Sequence, residues 1–335
     1  MPSFPASASE NEPLRLGARR EELLRALFVM DPLERIGLTT DSTFAMMAEA
    51  TARGHDVWMA EASALALRDG RTVAWARQAP AFRDPLRFEP GPPSTLELAS
   101  CDVVFMRKDP PIDAAYVLAT HLLEGAGTLV VNDPVSLRAL NEKLWVATNW
   151  PHLQPETLAT SRREAIVAFA EEMGTPIVLK PWNGNGGRGI VVTSASDRNL
   201  PALIDLLTTE GREAIIAQRY LPEVADGDRR ILLFDGEAVG VVNRIPGVSD
   251  HRANLHVGGR AAAADLRPVD LAICAEIGPS LREHGLLFVG IDVIGDRLTE
   301  INLTSPTGFQ EYARLTGVHL ERDLLDRVER RVGSR

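Results

Sequence analysis

The stretch VGIDVIGDRLTEINLTSPTG, residues 289–308, decides the fold of this 335-residue chain. It reads as a β-hairpin on which Asp292, Glu300 and Asn302 supply oxygen-bearing side chains. Because side chains alternate between the two faces of a strand, Glu300 and Asn302 point to one face and Ile301 points to the other. The hairpin is therefore expected to turn an apolar face to a core and an oxygen-rich face to a ligand.

The turn of this hairpin is predicted near residues 295–297. A three-residue turn sets Asp292 directly opposite Glu300, whereas a two-residue turn would place Ile291 opposite Glu300 and mix the two faces. We therefore expect the three-residue turn. The residues that it leaves on the apolar face are Ile291, Val293, Thr299 and Ile301. Asn302 then faces Gly290, whose missing side chain leaves room for a bound group.

Two neighbouring carboxylates on one hairpin face indicate a cation. At a separation of about 4 Å they would repel each other by roughly 4 kcal/mol at an effective dielectric constant near 20. A cation between them removes this cost, and Mg²⁺ prefers carboxylate and amide oxygens, with water and phosphate completing its shell. The alternative is an exposed polar sheet face whose carboxylates are solvated. The hairpin alone leaves both possibilities open.

The composition limits the classes of function. Asp and Glu outnumber Lys and Arg by 46 to 36, giving a net charge of −10, which argues against a general binder of nucleic acids or anionic membranes. Cys101 and Cys274 are too few and too far apart to suggest disulfides or a cysteine metal site, so a cytoplasmic location is expected. The sequence contains no run of about eighteen apolar residues, so no membrane-spanning helix is predicted.

Strand and helix patterns alternate after a polar tail. Residues 1–24 lack the apolar core of a signal peptide and are expected to be disordered. Strands near residues 26–30, 55–59, 102–106 and 128–131, with a helix over 41–53, predict an open parallel α/β sheet. Asp133-Pro134 begins a helix that is expected to carry Asn141, Glu142 and Lys143.

A glycine-rich loop follows the next apolar strand. Lys180 ends that strand, and residues 181–189 read PWNGNGGRG before another strand begins. Only such a loop lets several backbone N–H groups approach a phosphate closely, and Lys180 would add a positive charge. The loop lacks the Gly-Lys-Ser/Thr of a Walker A motif and is not followed by a helix. It is typical of a flap over a nucleotide, although a flexible hairpin turn is the alternative.

Several further residues are candidates for ligand binding. Arg230 and Arg244 flank a hairpin predicted around Asp235-Gly236 and could reach toward the same anion, unless they are solvated rim arginines. Arg107 leaves a strand at its carboxyl end, where open α/β sheets bind ligands, and its charge suits a carboxylate-bearing substrate. The segment that could hold a flat base contains Gln218, Tyr220 and Leu221.

Together these motifs resemble the ATP-grasp ligases, most closely the prokaryotic type of glutathione synthetase. The resemblance runs from about residue 26 to the C-terminal helix. The motifs that carry it are MDP (30–32), DSTFAM (41–46), MRKDPP (106–111), NEKL (141–144), VGIDVIGDRLTEIN (289–302) and TSPT (304–307). The resemblance implies an α/β protein in which an N-terminal open parallel-sheet domain, the pre-ATP-grasp domain, precedes an ATP-grasp fold.

The same resemblance implies how the chain is divided. Residues 25–143 would form the substrate domain, residues 144–221 the lid subdomain of the ATP-grasp fold, and residues 222–335 its C-terminal subdomain with the metal hairpin. Members of the family suggest a homo-oligomer, specifically a tetramer.

The resemblance also implies a role for each candidate residue. ATP would contact Lys143, Lys180, Gly184, Gly186, Gly187, Gln218, Tyr220, Leu221 and Asp228. Two Mg²⁺ ions, or Mn²⁺ in their place, would be held by Asp292, Glu300 and Asn302. Catalysis would depend on Arg230, Lys180 and Asn254. The peptide would contact Arg107, Arg244, Arg252, Gly258 and Ser305, under a lid formed by residues 246–260.

The implied reaction joins γ-glutamylcysteine to glycine. ATP would phosphorylate the cysteine carboxylate, and the glycine amine would displace phosphate from the resulting acyl phosphate. One alternative keeps the fold but ligates another peptide or amino acid. A second alternative is a nucleotide-binding regulator without catalysis. A degenerate site would be expected to have lost at least one of the functional residues, yet all are present: Lys143, Lys180, Arg230, Asp292, Glu300 and Asn302.

Overall fold

The first of three sheets is built around parallel strands in the computed structural model, which describes residues 23–82, 88–247 and 258–335. Its strands are β1 (Arg25–Met30), β2 (Asp56–Glu61), β3 (Leu65–Arg68), β4 (Arg71–Gln78), β5 (Pro93–Glu97), β6 (Val103–Arg107) and β7 (Leu129–Val131). The order β2-β1-β6-β7 is parallel, as predicted. β1 is almost entirely apolar because helices and loops cover both faces of a central parallel strand.

The strands β3, β4 and β5 extend this sheet in antiparallel fashion and were absent from the sequence prediction. In β4 the buried positions are Thr72, Ala74 and Ala76, while Trp75 between them is 55% exposed. Such small inward residues give little hydrophobic contrast along the strand. The period-2 pattern that identifies a strand is therefore weak here.

Helices cover the first sheet and lead out of it. They are α1 (Ser42–Ala52), α2 (Ala114–Glu124), α3 (Pro134–Ala139) and α4 (Leu144–Asn149). The prediction that the helix beginning at Pro134 carries residues 141–143 is wrong, because α3 ends before Leu140. Asn141 interrupts the helix by accepting hydrogen bonds from the backbone N–H groups of Lys143 and Leu144, at 3.1 and 2.9 Å.

The second sheet is small and has its own core. Its strands β8 (Thr157–Thr160), β9 (Ile177–Pro181), β10 (Val191–Thr193) and β11 (Ile215–Arg219) are antiparallel in the order β10-β9-β11-β8. The helices α5 (Arg163–Met173) and α6 (Leu200–Leu207) pack on one face through Ile166 and Ile204. The core cluster of this unit contains residues of the segment 166–217 alone.

The third sheet contains the hairpin. Its strands are β12 (Asp228–Phe234), β13 (Glu237–Ile245), β14 (Arg260–Ala263), β15 (Phe288–Ile294) and β16 (Arg297–Asn302), antiparallel in the order β14-β13-β12-β15-β16. Its helices are α7 (Pro268–Glu283), α8 (Phe309–Thr316) and α9 (Leu320–Val332). Among the described residues no helix is long and apolar enough to span a membrane.

The first and third sheets share their hydrophobic cores, whereas the second does not. Two core clusters each contain residues from both sheets, including Leu27 with Ile291 and Phe28 with Phe288. Asn132 ties the sheets together through its amide, which donates to the carbonyls of Phe288 and Leu303 at 2.7 and 2.8 Å. The hairpin is thus fixed against the N-terminal sheet, which makes it a rigid support for a site.

The hairpin has the predicted register but not the predicted turn. Asp292 lies opposite Glu300 and Gly290 opposite Asn302, as expected. The turn itself contains two residues, because Ile294 pairs with Arg297, and a bulge at Thr299 restores the register. Gly295 adopts a φ of 56° in this turn, where glycine carries no steric penalty.

The bulge also changes the two faces of the hairpin. The prediction that Thr299 joins the apolar face is wrong, because Leu298 packs in the core with Ile291, Val293 and Ile301. Thr299 lines the cavity beside Glu300 and donates to the carbonyl of Asp292 at 3.1 Å.

Candidate active site

A cavity of about 770 Å³ is lined by residues of all three sheets. The predicted site residues that line it are Arg107, Lys143, Lys180, Gly184, Gly186, Gly187, Gln218, Tyr220, Leu221, Asp228, Arg230, Arg244, Asp292, Glu300, Asn302 and Ser305. Gly258 is described but is absent from the lining residues. Arg252, Asn254 and most of the predicted lid lie outside the described residues.

Arg230 and Arg244 do reach a common anion, but this anion is the carboxylate of Asp292. Arg230 donates from Nε and a terminal nitrogen to the two carboxylate oxygens of Asp292, at 2.6 and 3.0 Å. A terminal nitrogen of Arg244 lies 2.9 Å from Asp292 Oδ1, and the amide of Asn302 donates to Oδ2 at 3.2 Å. Burial opposes ionisation of Asp292, but the two guanidinium groups outweigh it and lower its pKa.

The space above Gly290 is filled by the protein itself. A Cβ atom at this position would lie 3.0 Å from Cδ of Arg230 and 3.2 Å from Cβ of Pro306. The expectation that the missing side chain leaves room for a bound group is therefore wrong. Gly290 instead leaves room for the side chain of Arg230, which lies directly opposite Asp292 on the neighbouring strand β12.

Asp228 is the second anion beside Arg244. Its Oδ2 accepts from a terminal nitrogen of Arg244, while its Oδ1 is buried with no hydrogen-bond partner among the described residues. Burial raises the pKa of Asp228 to about 6. A buried oxygen without a partner is costly, so Asp228 is suited to accept a hydrogen bond from a ligand hydroxyl or amine.

Glu300 pairs with Lys143 rather than with Asp292. Lys143 Nζ donates to Glu300 Oε1 at 2.8 Å and to the carbonyl of Gly184 in the glycine loop at 2.6 Å. Burial lowers the pKa of Lys143, but the neighbouring Glu300 carboxylate outweighs it and the net shift is upward. Lys143 therefore stays charged and links the hairpin to the glycine loop.

The glycine loop closes over the cavity from the second sheet. Gly186 and Gly187 have φ angles of 61° and 78°, a backbone conformation that side chains disfavour. The loop contacts the segment that follows β6, because Asn185 donates to the carbonyl of Pro110 at 3.2 Å and Asn183 accepts from the Ile112 N–H at 3.3 Å. The loop thus lies against the segment after β6 and beside Lys143.

Lys180 enters the same cavity from β9 with a neutral partner. Its Nζ donates to Gln218 Oε1 at 3.0 Å, and only 7% of the residue is exposed. Burial lowers the pKa of Lys180 to about 8. The amide of Gln218 also donates to Thr157 Oγ1 at 2.8 Å, so both ends of this side chain already have partners.

Arg107 is held rigidly at the far side of the cavity. Its guanidinium donates to Thr43 Oγ1 at 3.1 Å and to the Pro306 carbonyl at 2.9 Å, and it lies 5.3 Å from the centre of the Phe288 ring. Burial lowers the pKa of Arg107. The side chain joins α1 to the segment after the hairpin and presents a positive charge to the cavity.

Sequence reasoning missed Glu142, which also lines the cavity. Its Oε1 accepts from the backbone N–H groups of Leu303 and Thr304 at 2.9 and 3.1 Å, and from Thr304 Oγ1 at 2.9 Å. Burial raises the pKa of Glu142. Its place between Asn141 and Lys143 was the available signal, but a helix was expected there.

The hairpin residues fit a divalent metal by their chemistry. Asp292, Glu300 and Asn302 offer carboxylate and amide oxygens, and the bond from Asn302 Nδ2 to Asp292 fixes the amide orientation. No cluster of three His, Cys, Asp or Glu side chains placed to hold a metal occurs in residues 23–82, 88–247 and 258–335. A hard cation bound to these residues would complete its shell with oxygens from water and phosphate.

Comparison with protein families identifies both parts of the chain. The model of the prokaryotic glutathione synthetase N-terminal domain matches residues 24–138, and that of its ATP-grasp domain matches residues 142–317. The glutathione synthetase of Brucella melitensis is 44% identical over 312 residues, covering 92% of this chain and 99% of the relative. That of Agrobacterium fabrum is 45% identical over 306 residues, covering 90% and 95%.

Solved structures with lower identity share the fold. The D-cycloserine synthetase DcsG aligns with a TM-score of 0.64 at 15% identity, covering 91% of this chain and 99% of its own. A RimK domain protein of the ATP-grasp type from Sphaerobacter thermophilus gives a TM-score of 0.60 at 20% identity, covering 90% and 98%. The predicted ATP-grasp fold is confirmed, and the chain belongs to the prokaryotic glutathione synthetase family.

Proposed function

We propose a division of roles among the cavity residues for the reaction of this family. The chain is a glutathione synthase, an ATP-dependent ligase that joins γ-L-glutamyl-L-cysteine to glycine and forms glutathione, ADP and phosphate. The observation that carries this function is the 44–45% identity to glutathione synthetases across about nine-tenths of the chain. The cavity supports it, because the cations, carboxylates and glycine loop that ATP-dependent ligation needs all face one space.

ATP is assigned to the side of the cavity formed by the second sheet. Lys180 and Lys143 approach the phosphates, and the backbone N–H groups around Gly184, Gly186 and Gly187 cover them. The adenine base lies against the segment from Gln218 through Tyr220 to Leu221. Because the side chain of Gln218 is already bonded at both ends, the backbone of this segment supplies the hydrogen bonds to the base. Asp228 accepts a hydrogen bond through its unpartnered oxygen.

The family uses ATP with a divalent metal, and we assign two Mg²⁺ ions to Asp292, Glu300 and Asn302. When bound, such ions neutralise phosphate charge during phosphoryl transfer. Asp292 and Glu300 supply the negative charge that holds them, and the amide of Asn302 offers a further oxygen ligand.

The peptide is assigned to the side formed by the first sheet. Arg107 and Ser305 hold the dipeptide so that its cysteine carboxylate attacks the γ-phosphorus and ADP leaves with the bonding electrons. The glycine amine then attacks the acyl carbon, and phosphate leaves. Arg230 stabilises the negative charge of the tetrahedral intermediate. The roles of Arg244, Arg252, Asn254 and Gly258, and of a lid that excludes water, remain predictions.

The predicted disordered tail of residues 1–24 lies outside the described residues except for Leu23 and Leu24, and Leu24 is buried. We further propose domain boundaries at residues 143 and 221, a tetramer, a cytoplasmic location and no nucleic-acid or membrane partner.

Phosphate release tests the proposal. ATP and Mg²⁺ are supplied with γ-glutamylcysteine alone, with glycine alone, and with both, and glutathione is quantified with phosphate. We expect one glutathione per phosphate, with turnover requiring both substrates. Turnover with a different amine in place of glycine would identify another ligase, and no turnover with any pair would indicate a nucleotide-binding regulator.

A further inference from the structure

Two ion pairs in the cavity join groups that the proposed function assigns to different ligands. Lys143, assigned to phosphate, lies 2.8 Å from Glu300, assigned to metal. Arg230, assigned to the reacting groups, lies 2.6 Å from Asp292, which is also assigned to metal. Each carboxylate that would hold a metal is therefore occupied by a cation that would hold a phosphate or an intermediate.

The occupation of Asp292 is nearly complete. Oδ1 accepts from Arg230 and Arg244, and Oδ2 accepts from Arg230 and Asn302. A carboxylate has about four lone-pair positions, so little capacity is left for a metal while both guanidinium groups remain.

Burial prevents these groups from separating without replacement partners. The side chains of Asp292, Arg230 and Arg244 are 4%, 9% and 7% exposed, and those of Lys143 and Glu300 are 7% and 20% exposed. A buried charge that loses its partner is strongly unfavourable. A metal alone would take the carboxylates and leave the cations unpaired, and metal-free ATP would take the cations and leave the carboxylates unpaired.

We propose that Asp292 and Glu300 hold Arg230 and Lys143 in place before ligands bind and exchange them for metal only when the nucleotide arrives. Lys143 then turns to the phosphates of ATP, and Arg230 turns to the γ-phosphoryl group, beside the acyl centre whose charge it later stabilises. The carboxylates turn to the metal, and no buried charge loses its partner. Metal and ATP therefore bind with strong positive coupling, which originates in these two ion pairs. This inference rests on the proposed function, because it takes the metal and phosphate assignments from there.

Equilibrium binding without dipeptide or glycine tests the coupling. Mn²⁺ binding to the full chain is measured by electron paramagnetic resonance, with and without ATP, and ATP binding is measured by calorimetry, with Mn²⁺ or with EDTA. We expect each ligand to raise the affinity of the other on the order of 10-fold to 100-fold, by the same factor in both directions after correction for the Mn²⁺–ATP complex formed in solution. Independent binding of the two ligands would overturn the proposal.

Two substitutions distinguish competition within an ion pair from the simple loss of a ligand contact. Relieving the competition should raise an affinity, whereas losing a contact should lower one. Lys143→Met frees Glu300 from its competitor and is expected to raise the affinity for Mn²⁺ without nucleotide by about tenfold. Glu300→Gln frees Lys143 and is expected to raise the affinity for metal-free ATP by a similar factor. If Lys143→Met leaves Mn²⁺ affinity unchanged and Glu300→Gln leaves the affinity for metal-free ATP unchanged, the Lys143–Glu300 pair does not contribute to the coupling. The proposal requires both ion pairs, so this result would overturn it.

Arg314→Met provides the matched control. Arg314 pairs at 3.0 Å with Glu311, another carboxylate that lines the cavity, and its side chain is 55% exposed. Its removal is expected to leave Mn²⁺ affinity unchanged, and an increase equal to that of Lys143→Met would overturn the specific role of Glu300. If a variant fails to fold, the coupling measured with the wild-type chain still tests the proposal. A chain that makes glutathione without coupling refutes this inference alone, whereas coupling without glutathione refutes the proposed function alone.

Discussion

The two long walls of the cavity carry charge in different ways. On the third sheet, the carboxylates of Asp228, Asp292 and Glu300 are each paired with a cation from Arg230, Arg244 or Lys143. On the second sheet, Lys180 has the neutral amide of Gln218 as its hydrogen-bond partner. The three carboxylates and their three cations form the paired wall, and Lys180 with Gln218 forms the unpaired wall.

The two walls therefore depend on ligand in different ways. Each carboxylate of the paired wall already has a cation as its partner, so this wall must exchange ion-pair partners to bind a metal or a phosphate. The unpaired wall contains a buried cation whose charge is disfavoured, and a phosphate would relieve that cost. The paired wall is attached to the N-terminal sheet by a shared core, whereas the unpaired wall belongs to a unit with its own core.

The largest effect on turnover is expected when one charge is removed from the paired wall. Glu300→Gln should lower turnover by about 10²-fold to 10³-fold or more, because the charge that stabilises the transition state is misplaced. Thermal unfolding should show an intact fold. Asp296→Asn is the matched control in the turn of the same hairpin, where its side chain is 75% exposed, and it should retain full activity. Normal turnover of Glu300→Gln would mean that this hairpin is not the metal site.

The free energy of unfolding should distinguish the two walls. Arg244→Gln leaves the buried Asp228 and Asp292 short of a cation and should lower the free energy of unfolding by about 3–5 kcal/mol. Lys180→Met removes a buried cation that has no carboxylate among its hydrogen-bond partners, so it should change stability by only about 1 kcal/mol while weakening ATP binding. Urea unfolding of both variants provides the comparison, and equal destabilisation would contradict the distinction between the walls.

The pH dependence of ATP binding should report the unpaired wall. Because the pKa of Lys180 is lowered to about 8, this side chain is charged below pH 8 and neutral above it in the free protein. The affinity for ATP should therefore fall by up to about tenfold per pH unit above pH 8. Lys180→Arg keeps its charge throughout this range and should remove the break near pH 8. A break that persists in this variant would assign it to another group.

The smallest expected effect comes from displacing a cation without removing it. Gly290→Ala places a Cβ atom 3.0 Å from Arg230 Cδ and should lower turnover several-fold, with a loss of about 1–3 kcal/mol of stability from overpacking. Gly240→Ala is a matched control, since its Cβ would lie 2.9 Å from the ring of Tyr312, which is absent from the cavity lining, whereas Arg230 belongs to it. Both variants should lose stability, but only Gly290→Ala should lose turnover. Equal turnover in the two would contradict the role of Gly290.

The features that depend on local sequence could be predicted. The register of Asp292 and Glu300 followed from the alternation of apolar and polar residues, and the glycine loop followed from its composition. The bulge at Thr299 could not be predicted, because a two-residue turn with a bulge and a three-residue turn give the same register. The strand β4 was missed because its inward residues are small, and β3 and β5 were missed because each buries a single residue, which gives no period-2 pattern.

The partners of the site residues could not be read from the sequence either. Arg230 and Asp292 are 62 positions apart, and Lys143 and Glu300 are 157 apart. Motifs placed all of these residues in one site, but charge type alone does not say whether a cation meets a substrate or a neighbouring carboxylate. Glu142 was overlooked for a related reason, since its partners at Leu303 and Thr304 are brought close only by the fold.

Isotope transfer tests the central claim most directly, which is that this cavity activates the dipeptide carboxylate with ATP. The wild-type chain is supplied with ATP, Mg²⁺, glycine and γ-glutamylcysteine carrying ¹⁸O in both oxygens of the cysteine carboxylate. If the carboxylate attacks the γ-phosphorus, each phosphate released should carry one ¹⁸O atom and the new peptide carbonyl should retain the other. Phosphate without ¹⁸O, or formation of AMP in place of ADP, would contradict ligation through an acyl phosphate.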